Sequence, residues 1–388
     1  MNIRTTDNDI PISLVIALVL SPFTMLRFSF FGFTEIILLL FFIFSFKRFI
    51  KTELWRQFIF TRFWILFIFI SLLGLAYNTL ILGGTTGTIK GTIFDLSSYI
   101  FICLVCYLLE MKFLEKKICP LKLLKLFYLY LTILFIILYV LSLFFTSILG
   151  LPLRYEGSFA PLVINIHQSA MVLITLPFIG MFLYKYESSF INKAMILISI
   201  LLLYILALDT AATKAIMGIF IGTAVFLIFS LKSMFSKKAV PVLLLCMIGG
   251  GIVLVLQFNL IELALTFFEE NDGGGARGNL YLQGLLVGMT SPIIGLGAGG
   301  HIYYDQIFYD AHQTQLTVFL QAGVLGVILY ILLMYKIIRT CALSSAFIAC
   351  IFAISIYSFG GDILRRLPIW LILLLIYYSA KRLTNNLN

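Results

Sequence analysis

Charged residues are scarce in this chain of 388 residues. They make up 11% of it, whereas hydrophobic residues make up 62% and the mean hydropathy is +1.09. A soluble globular domain is closer to half apolar, so this composition excludes one. The sequence predicts an all-α polytopic membrane protein, because an open sheet would leave backbone groups unpaired in lipid.

Residues that bind metals or carry out redox chemistry are also few, with three histidines and six cysteines in the whole sequence. Cys103 and Cys106 form a Cys-x-x-Cys pattern, but neither a second such pair nor a nearby histidine accompanies it. We therefore expect neither a zinc site nor a redox site, and the sequence predicts no cofactor.

Long apolar runs dominate what is present. A membrane-spanning helix needs roughly 20 apolar residues, and about twelve such runs can be counted. We therefore predict a single transmembrane domain over residues 1–388. The runs lie near residues 11–26, 28–46, 63–83, 93–110, 126–150, 165–184, 194–211, 212–231, 239–258, 314–334, 340–358 and 367–380.

The positive charges alternate with these runs. Five loops and both termini carry about 20 of the 27 Lys and Arg residues, which by the positive-inside rule places them in the cytoplasm. The five loops are 47–62, 112–125, 185–193, 232–238 and 336–339. The net charge of +10 is thus a topology signal, and because it is scattered over short loops it predicts no nucleic-acid partner.

The longest loop, residues 259–313, falls on the opposite, external side. Within it four apolar residues recur at helical spacing, Leu282, Leu285, Leu286 and Met289. This spacing is typical of an amphipathic helix on a membrane surface. A glycine break precedes the helix and Pro292 follows it, so we predict two interfacial helices that fold over the mouth of the bundle.

His312 lies near the end of this loop. Its imidazole can titrate near neutral pH, so it could accept a proton from a hydroxyl nucleophile or pair with a phosphate. A structural role at the start of a helix is the alternative. Asp310 and the tyrosines Tyr303, Tyr304 and Tyr309 surround it in sequence, a mixture suited to stacking on sugar rings and orienting hydroxyls.

Three external cations and one carboxylate are further candidates. Arg277 follows a glycine run, where a guanidinium could grip a pyrophosphate. Lys214 begins a predicted helix, where an ammonium opposes the helix dipole unless an anion binds there too. Arg154, beside Glu156, could add a third positive group. Together they predict an outward-facing, phosphate-binding pocket.

Other charged residues receive simpler interpretations. Arg27 and Lys90 are predicted to be anchors at helix ends. Glu35 lies inside the second apolar run, where a carboxylate at mid-membrane costs on the order of 2.5 to 3.5 kcal/mol, so it should face the bundle or be protonated. Whether its role is structural or functional stays open.

The glycines of Gly295-x-Gly297-x-Gly299 superficially match a phosphate-binding fingerprint. They neither follow a soluble strand nor open a Rossmann unit, so we do not expect dinucleotide binding. They are better explained as positions where the backbone closely approaches a membrane helix or a phosphate.

Three segments in order form a recognisable pattern: Pro292–Gly297, Ala311–Leu316 and Gly323–Gly326. This pattern resembles the signature of the O-antigen polymerase and ligase superfamily, which reads approximately Pro-x-x-Gly-x-Gly, His-Asn and Gly-x-x-Gly. The similarity covers roughly residues 205–334. Arg277 matches an arginine of the family, whereas Lys214 replaces an arginine and Gln313 replaces an asparagine.

The resemblance implies a GT-C-like fold and a metal-independent, inverting glycosyltransferase of the bacterial inner membrane. Its site would face the periplasm and its donor would be a glycan on undecaprenyl pyrophosphate. By analogy, Lys214 and Arg277 would hold the pyrophosphate, and His312 would activate the acceptor hydroxyl or bind phosphate. The bilayer and a chain-length regulator protein would be further partners.

Three functions remain open at this stage. The first is an O-antigen polymerase that joins lipid-linked repeat units. The second is an O-antigen ligase, whose acceptor is the lipid A core. The third is a lipid-linked oligosaccharide flippase, which should carry charged residues along a central path through the membrane.

Overall fold

The computed structural model describes residues 10–28, 31–45, 56–83, 89–163, 165–234, 274–299, 302–304, 307–309 and 311–385. Within these ranges the chain forms thirteen α-helices and four two-stranded antiparallel hairpins. The helices are α1 Ile12–Leu20, α2 Phe33–Ser45, α3 Ile59–Leu80, α4 Ile89–Leu114, α5 Pro120–Phe144, α6 Ile166–Leu173, α7 Leu176–Tyr186, α8 Phe190–Asp209, α9 Thr213–Met234, α10 Gly274–Gly288, α11 Thr314–Cys341, α12 Ser345–Ser358 and α13 Leu367–Asn385. The hairpins pair β1 Arg27–Phe28 with β2 Phe31–Gly32, β3 Ser147–Ile148 with β4 Leu151–Pro152, β5 Arg154–Tyr155 with β6 Ser158–Phe159, and β7 Ile302–Tyr304 with β8 Ile307–Tyr309.

Eight helical segments among the described residues are long and apolar enough to cross a membrane. They are α3, α4, α5, α6 with α7, α8, α9, α11 and α13. The prediction of an all-α polytopic membrane protein is thereby confirmed. The count of twelve spans stays a prediction, because α1, α2 and α12 are shorter and the run at 239–258 lies outside the described residues.

Polar side chains mark where several helices begin. Asn165 accepts a hydrogen bond from the backbone N–H of His167 at the start of α6, and Ser344 accepts one from Phe347 at the start of α12. Such caps pair N–H groups that have no partner within the first turn. Pro120 opens α5, where its missing N–H costs nothing.

Helix α13 lies in the interior of the bundle, since 78% of its span is buried, whereas only 22% of the α8 span is. Its Trp370 packs edge-on against Trp64 of α3, with ring centroids 4.7 Å apart. Large aromatic side chains bury much apolar area, so these contacts hold α3 and α13 together.

The buried carboxylate of Glu110 shows which helix ends lie on the same side of the bundle. Near the end of α4, Glu110 accepts hydrogen bonds from the backbone of Ile59, Phe60 and Thr61 at the start of α3, and from the Tyr378 hydroxyl near the end of α13. We call this side of the bundle the basic end, because most Lys and Arg side chains of the described loops lie there. The opposite side, where α4, α9, α11 and α13 begin, is the site end.

The structure describes only part of the predicted loop at 259–313. Its described part contains one helix, α10, and the β7–β8 hairpin. The two interfacial helices stay a prediction, because residues 259–273 lie outside the described residues. The helical spacing is confirmed for Leu282, Leu285 and Leu286, which are all exposed on α10, whereas Met289 is exposed one residue beyond its end. The opposite face packs on α11, where a Cβ on Gly288 would lie 2.5 Å from the Phe319 ring. Contact of α10 with a membrane surface stays a prediction.

The structure corrects the interpretation of Glu35. Helix α2 begins at Phe33, so Glu35 lies in its first turn and not in the middle of a span. Its carboxylate packs beside Gly32 and is half-buried. A negative charge at this position is favoured by the helix dipole, so Glu35 needs no partner charge within the membrane.

Candidate functional site

Helix α11 is broken at Gly323, which has φ 60° and ψ −160°. In a regular helix the N–H groups of Val324 and Leu325 would bond to the carbonyls of Leu320 and Gln321. All four groups bond instead to the segment Pro292–Gly299, which we call the glycine-rich loop. The bonds are Leu296 N–H to Leu320 O (2.7 Å), Gly297 N–H to Gln321 O (3.1 Å), Val324 N–H to Pro292 O (2.8 Å) and Leu325 N–H to Ile293 O (3.2 Å).

Three glycines let this loop enter the bundle. Gly295, Gly297 and Gly299 all have positive φ, between 72° and 89°. A Cβ on them would lie within 2.5 Å of backbone atoms of α11, α3 and α4 respectively. The prediction that the glycines allow close approach to membrane helices is confirmed, and the approach also uses the Gly297 and Gly299 amides as donors.

Asp95, in α4, joins this loop to two other elements. One carboxylate oxygen accepts hydrogen bonds from the Gly299 N–H (3.0 Å) and from Nε2 of Gln321 (2.7 Å). The other oxygen lies 3.1 Å from Nη1 of Arg365. The Asp95 side chain is only 1% exposed, so its charge is buried together with its partners.

Arg365 and Gln321 extend these contacts into a network. The Nε of Arg365 lies 3.5 Å from Asp362, and its guanidinium lies over the Phe94 ring. The Tyr99 hydroxyl donates to Oε1 of Gln321 at 2.7 Å. Both polar atoms of the Gln321 amide are therefore paired, which rigidifies the site end.

A turn between α12 and α13, Phe359–Ile363, contains two adjacent glycines; we call it the double-glycine turn. On one side the turn contacts Lys214, the second residue of α9. A Cβ on Gly360 would lie only 2.7 Å from Cε of Lys214. The turn thus contacts the predicted phosphate ligand Lys214 directly.

The same turn contacts the start of α11. The Thr314 hydroxyl donates to the Gly361 carbonyl at 2.8 Å and accepts from the Ile363 N–H at 3.0 Å. Thr314 follows His312 by two residues, so the structure brings the histidine segment and Lys214 to one turn. Sequence reasoning predicted both residues but not the turn that connects them.

The end of α12 packs against the same turn. Tyr357, one of the last residues of α12, is buried and donates its hydroxyl to the His167 carbonyl at 2.9 Å. A Cβ on Gly361 would lie 2.7 Å from the Tyr357 ring.

His312 has an unusual backbone. Its φ is 50°, a left-handed conformation that non-glycine residues adopt rarely, and its side chain is exposed. The preceding Ala311 is buried and the following helix is fixed through Thr314. Such strain persists only where the surroundings impose it, and it occurs often at functional sites.

Arg154 makes several contacts within the protein. Its Nη2 pairs with Asp209 at 2.9 Å, its Nε donates to the Ser142 carbonyl at 3.2 Å, and its Nη1 bonds to the Gly157 carbonyl. Glu156 occupies the exposed tip of the β5–β6 hairpin with φ 49°. These contacts give Arg154 a structural role, and phosphate binding by Arg154 stays a prediction.

Several predicted site residues fall partly or wholly outside the described residues. Arg277 lies on α10, but its side chain is not described, and Asp310 is not described at all. In the β7–β8 hairpin Tyr303 pairs with Phe308, Tyr304 with Ile307 and Tyr309 with Ile302. Their predicted contacts with sugars stay predictions.

The sequence interpretation missed Asp95, Gln321 and the Asp362–Arg365 pair. A signal for Asp95 was available, because a carboxylate in an otherwise apolar helix is costly unless it is paired. Its partners were not identifiable, since Gly299, Gln321 and Arg365 lie 204, 226 and 270 residues further along the chain. No family model matches the sequence, and no curated protein matches it significantly.

Proposed function

We propose that this chain is an O-antigen polymerase, a membrane-embedded glycosyltransferase that joins undecaprenyl-pyrophosphate-linked repeat units. The observation that carries the proposal is the double-glycine turn. It contacts Lys214 on one side and the start of α11, two residues after His312, on the other. A phosphate ligand and a hydroxyl-activating group are thus both held at the site end.

The proposed reaction is a displacement at the anomeric carbon of the lipid-linked glycan. An acceptor hydroxyl forms the new C–O bond as the bond to pyrophosphate breaks, and His312 takes the hydroxyl proton. The leaving pyrophosphate carries away the bonding electrons. Lys214 stabilises the charge that develops there, which is worth most in a site with little water.

The charge distribution supports a periplasmic site. The described loops of the basic end carry most of the Lys and Arg residues, and the positive-inside rule assigns such loops to the cytoplasm. The site end then faces the periplasm, where lipid-linked glycans are assembled. The inner membrane of a bacterium follows from the same proposal.

The positions of buried charges favour a transferase over a flippase. Within the described residues Asp95 and Glu110 are the two carboxylates with almost no exposure, at 1% and 0%. Both lie near the ends of α4, and both are bonded to neighbouring helices. A flippase should carry charges along a central path, which this arrangement does not provide.

The test is a lipopolysaccharide gel from the host lacking this gene, complemented at matched expression. We expect wild type and Lys90→Ala to restore a full ladder, since Lys90 is an exposed residue outside the site. His312→Ala and Lys214→Ala should leave cores capped by a single repeat. Bare cores in the deletion strain would replace the proposal with a ligase or a flippase, and a full ladder from His312→Ala would remove the histidine from the mechanism.

Arg277 is tested against a matched arginine. In the same gel Arg277→Ala should abolish the ladder, whereas Arg27→Ala should retain it, because only Arg277 is assigned a ligand. Equal activity of the two variants at equal membrane abundance would contradict that assignment.

A further inference from the structure

Gly360 does not have the left-handed backbone that favours glycine. Its φ is not positive, unlike those of the glycines in the glycine-rich loop. What excludes a side chain at this position is space. A Cβ would lie 2.7 Å from Cε, 2.8 Å from Cδ and 3.1 Å from Cγ of Lys214.

The aliphatic stem of Lys214 therefore lies along the backbone of Gly360, in the space that a side chain at position 360 would occupy. Lysine has a flexible stem with many rotamers, so an ammonium at its end is positioned only where the stem is confined. The three contacts with Gly360 supply that confinement over the length of the stem. A methyl group there would displace a flexible side chain and leave the backbone unchanged.

Resting on the proposed function, we propose that Gly360 is a positioning residue for Lys214, the cation assigned to the pyrophosphate group of the substrate. Lys214 is the second residue of α9, so its side chain leaves the helix at its start. The backbone N–H groups at a helix start favour an anion, so a pyrophosphate held there would gain from the ammonium and from the helix dipole.

The test is a double-mutant cycle on the purified full chain in nanodiscs, with inorganic pyrophosphate as the probe and calorimetry as the readout. Lys214→Ala and Gly360→Ala should each weaken binding about tenfold, the effect of losing one charge-assisted contact. The double variant should bind no more weakly than Lys214→Ala alone, because Gly360 acts through Lys214.

Lys90→Ala is the control and should bind pyrophosphate as wild type does. The unfolding temperature of Gly360→Ala should match that of wild type, since only a flexible stem moves. Wild-type affinity in Gly360→Ala, or effects of Gly360→Ala and Lys214→Ala that multiply, would overturn the positioning role. Because the readout is binding, these outcomes are distinguishable from a gel that refutes polymerase activity.

Discussion

Arg365 and Asp95 form an ion pair, with Nη1 of the arginine 3.1 Å from Oδ1 of the aspartate, that joins the segment before α13 to the first turns of α4. The same carboxylate holds the glycine-rich loop through Gly299 and α11 through Gln321. One buried side chain therefore fixes four separate parts of the chain relative to one another.

Asp95→Asn should destabilise the protein strongly. Removing one partner of a buried pair leaves an uncompensated charge, and we expect a loss of about 3 kcal/mol because Arg365 keeps Asp362. The measurement is thermal unfolding of the protein in detergent. Asp209→Asn is the control, since Asp209 is 31% exposed in its pair with Arg154 and should cost about 0.5 kcal/mol. Equal losses for the two variants would contradict the role of Asp95.

Tyr378→Phe should cost about 1.5 to 3 kcal/mol, because the hydroxyl donates to the buried Glu110 carboxylate at 2.9 Å. Tyr204→Phe is matched to it, since that hydroxyl pairs with the neutral Thr223 hydroxyl at 2.7 Å. It should cost about 1 kcal/mol in the same unfolding measurement. A larger effect at Tyr204 would show that Glu110 does not anchor α13.

Gly323→Ala should prevent α11 from docking on the glycine-rich loop. Its Cβ would lie 2.3 Å from the backbone of Ile293, and backbone cannot move aside as a side chain can. Gly83→Ala separates this clash from conformational strain, because Gly83 has φ 71° but open space around its Cβ. We expect about 1 kcal/mol at Gly83 and failure to accumulate folded protein at Gly323, read from membrane abundance and size-exclusion profiles. Similar abundance of both variants would contradict the close contact between Gly323 and the glycine-rich loop.

The pH dependence of stability should include a contribution from Glu187, between α7 and α8. The hydrogen bond from Lys125, 2.8 Å away, lowers the pKa of Glu187 from 4.5 to about 2. The folded state thus binds this proton less readily than the unfolded state, so the stabilisation is complete above about pH 5 and is lost as the pH falls toward 2. Wild type should exceed Glu187→Gln in unfolding temperature at pH 7 and converge with it as the pH falls toward 2. Because the Lys125 side chain is 55% exposed, the difference should be small and should shrink in high salt.

The long apolar runs predicted most spanning helices, because burial in lipid depends on composition alone. The ends of the helices were predicted less accurately where a proline or a hairpin changes the hydrogen bonding of the backbone. The run at 126–150 became α5 at Pro120–Phe144, since Pro120 starts the helix early and the β3–β4 hairpin ends it. The run at 165–184 became two helices, with a break before Pro177, which cannot donate to the preceding turn.

The site was predictable in its parts and not in its assembly. His312 and Lys214 were identified from local rules, a histidine in a polar loop and a cation at a helix start. Gly360 carries no local signal, since its importance depends on the path of a side chain 146 residues earlier in the sequence. The break at Gly323 was also missed, because a Gly-x-x-Gly pattern in an apolar helix is compatible with ordinary helix packing.

The break in α11 also constrains how the chain is made. Two donors and two acceptors at residues 320–325 bond to the glycine-rich loop, and each would cost several kcal/mol if it were left unpaired in hydrocarbon. The loop precedes α11 in the sequence, so it leaves the ribosome before α11 does. Biogenesis therefore supplies the hydrogen-bonding partner before the helix that needs it, and reversing that order, as in a circular permutant opened between residues 300 and 313, should impair insertion of α11.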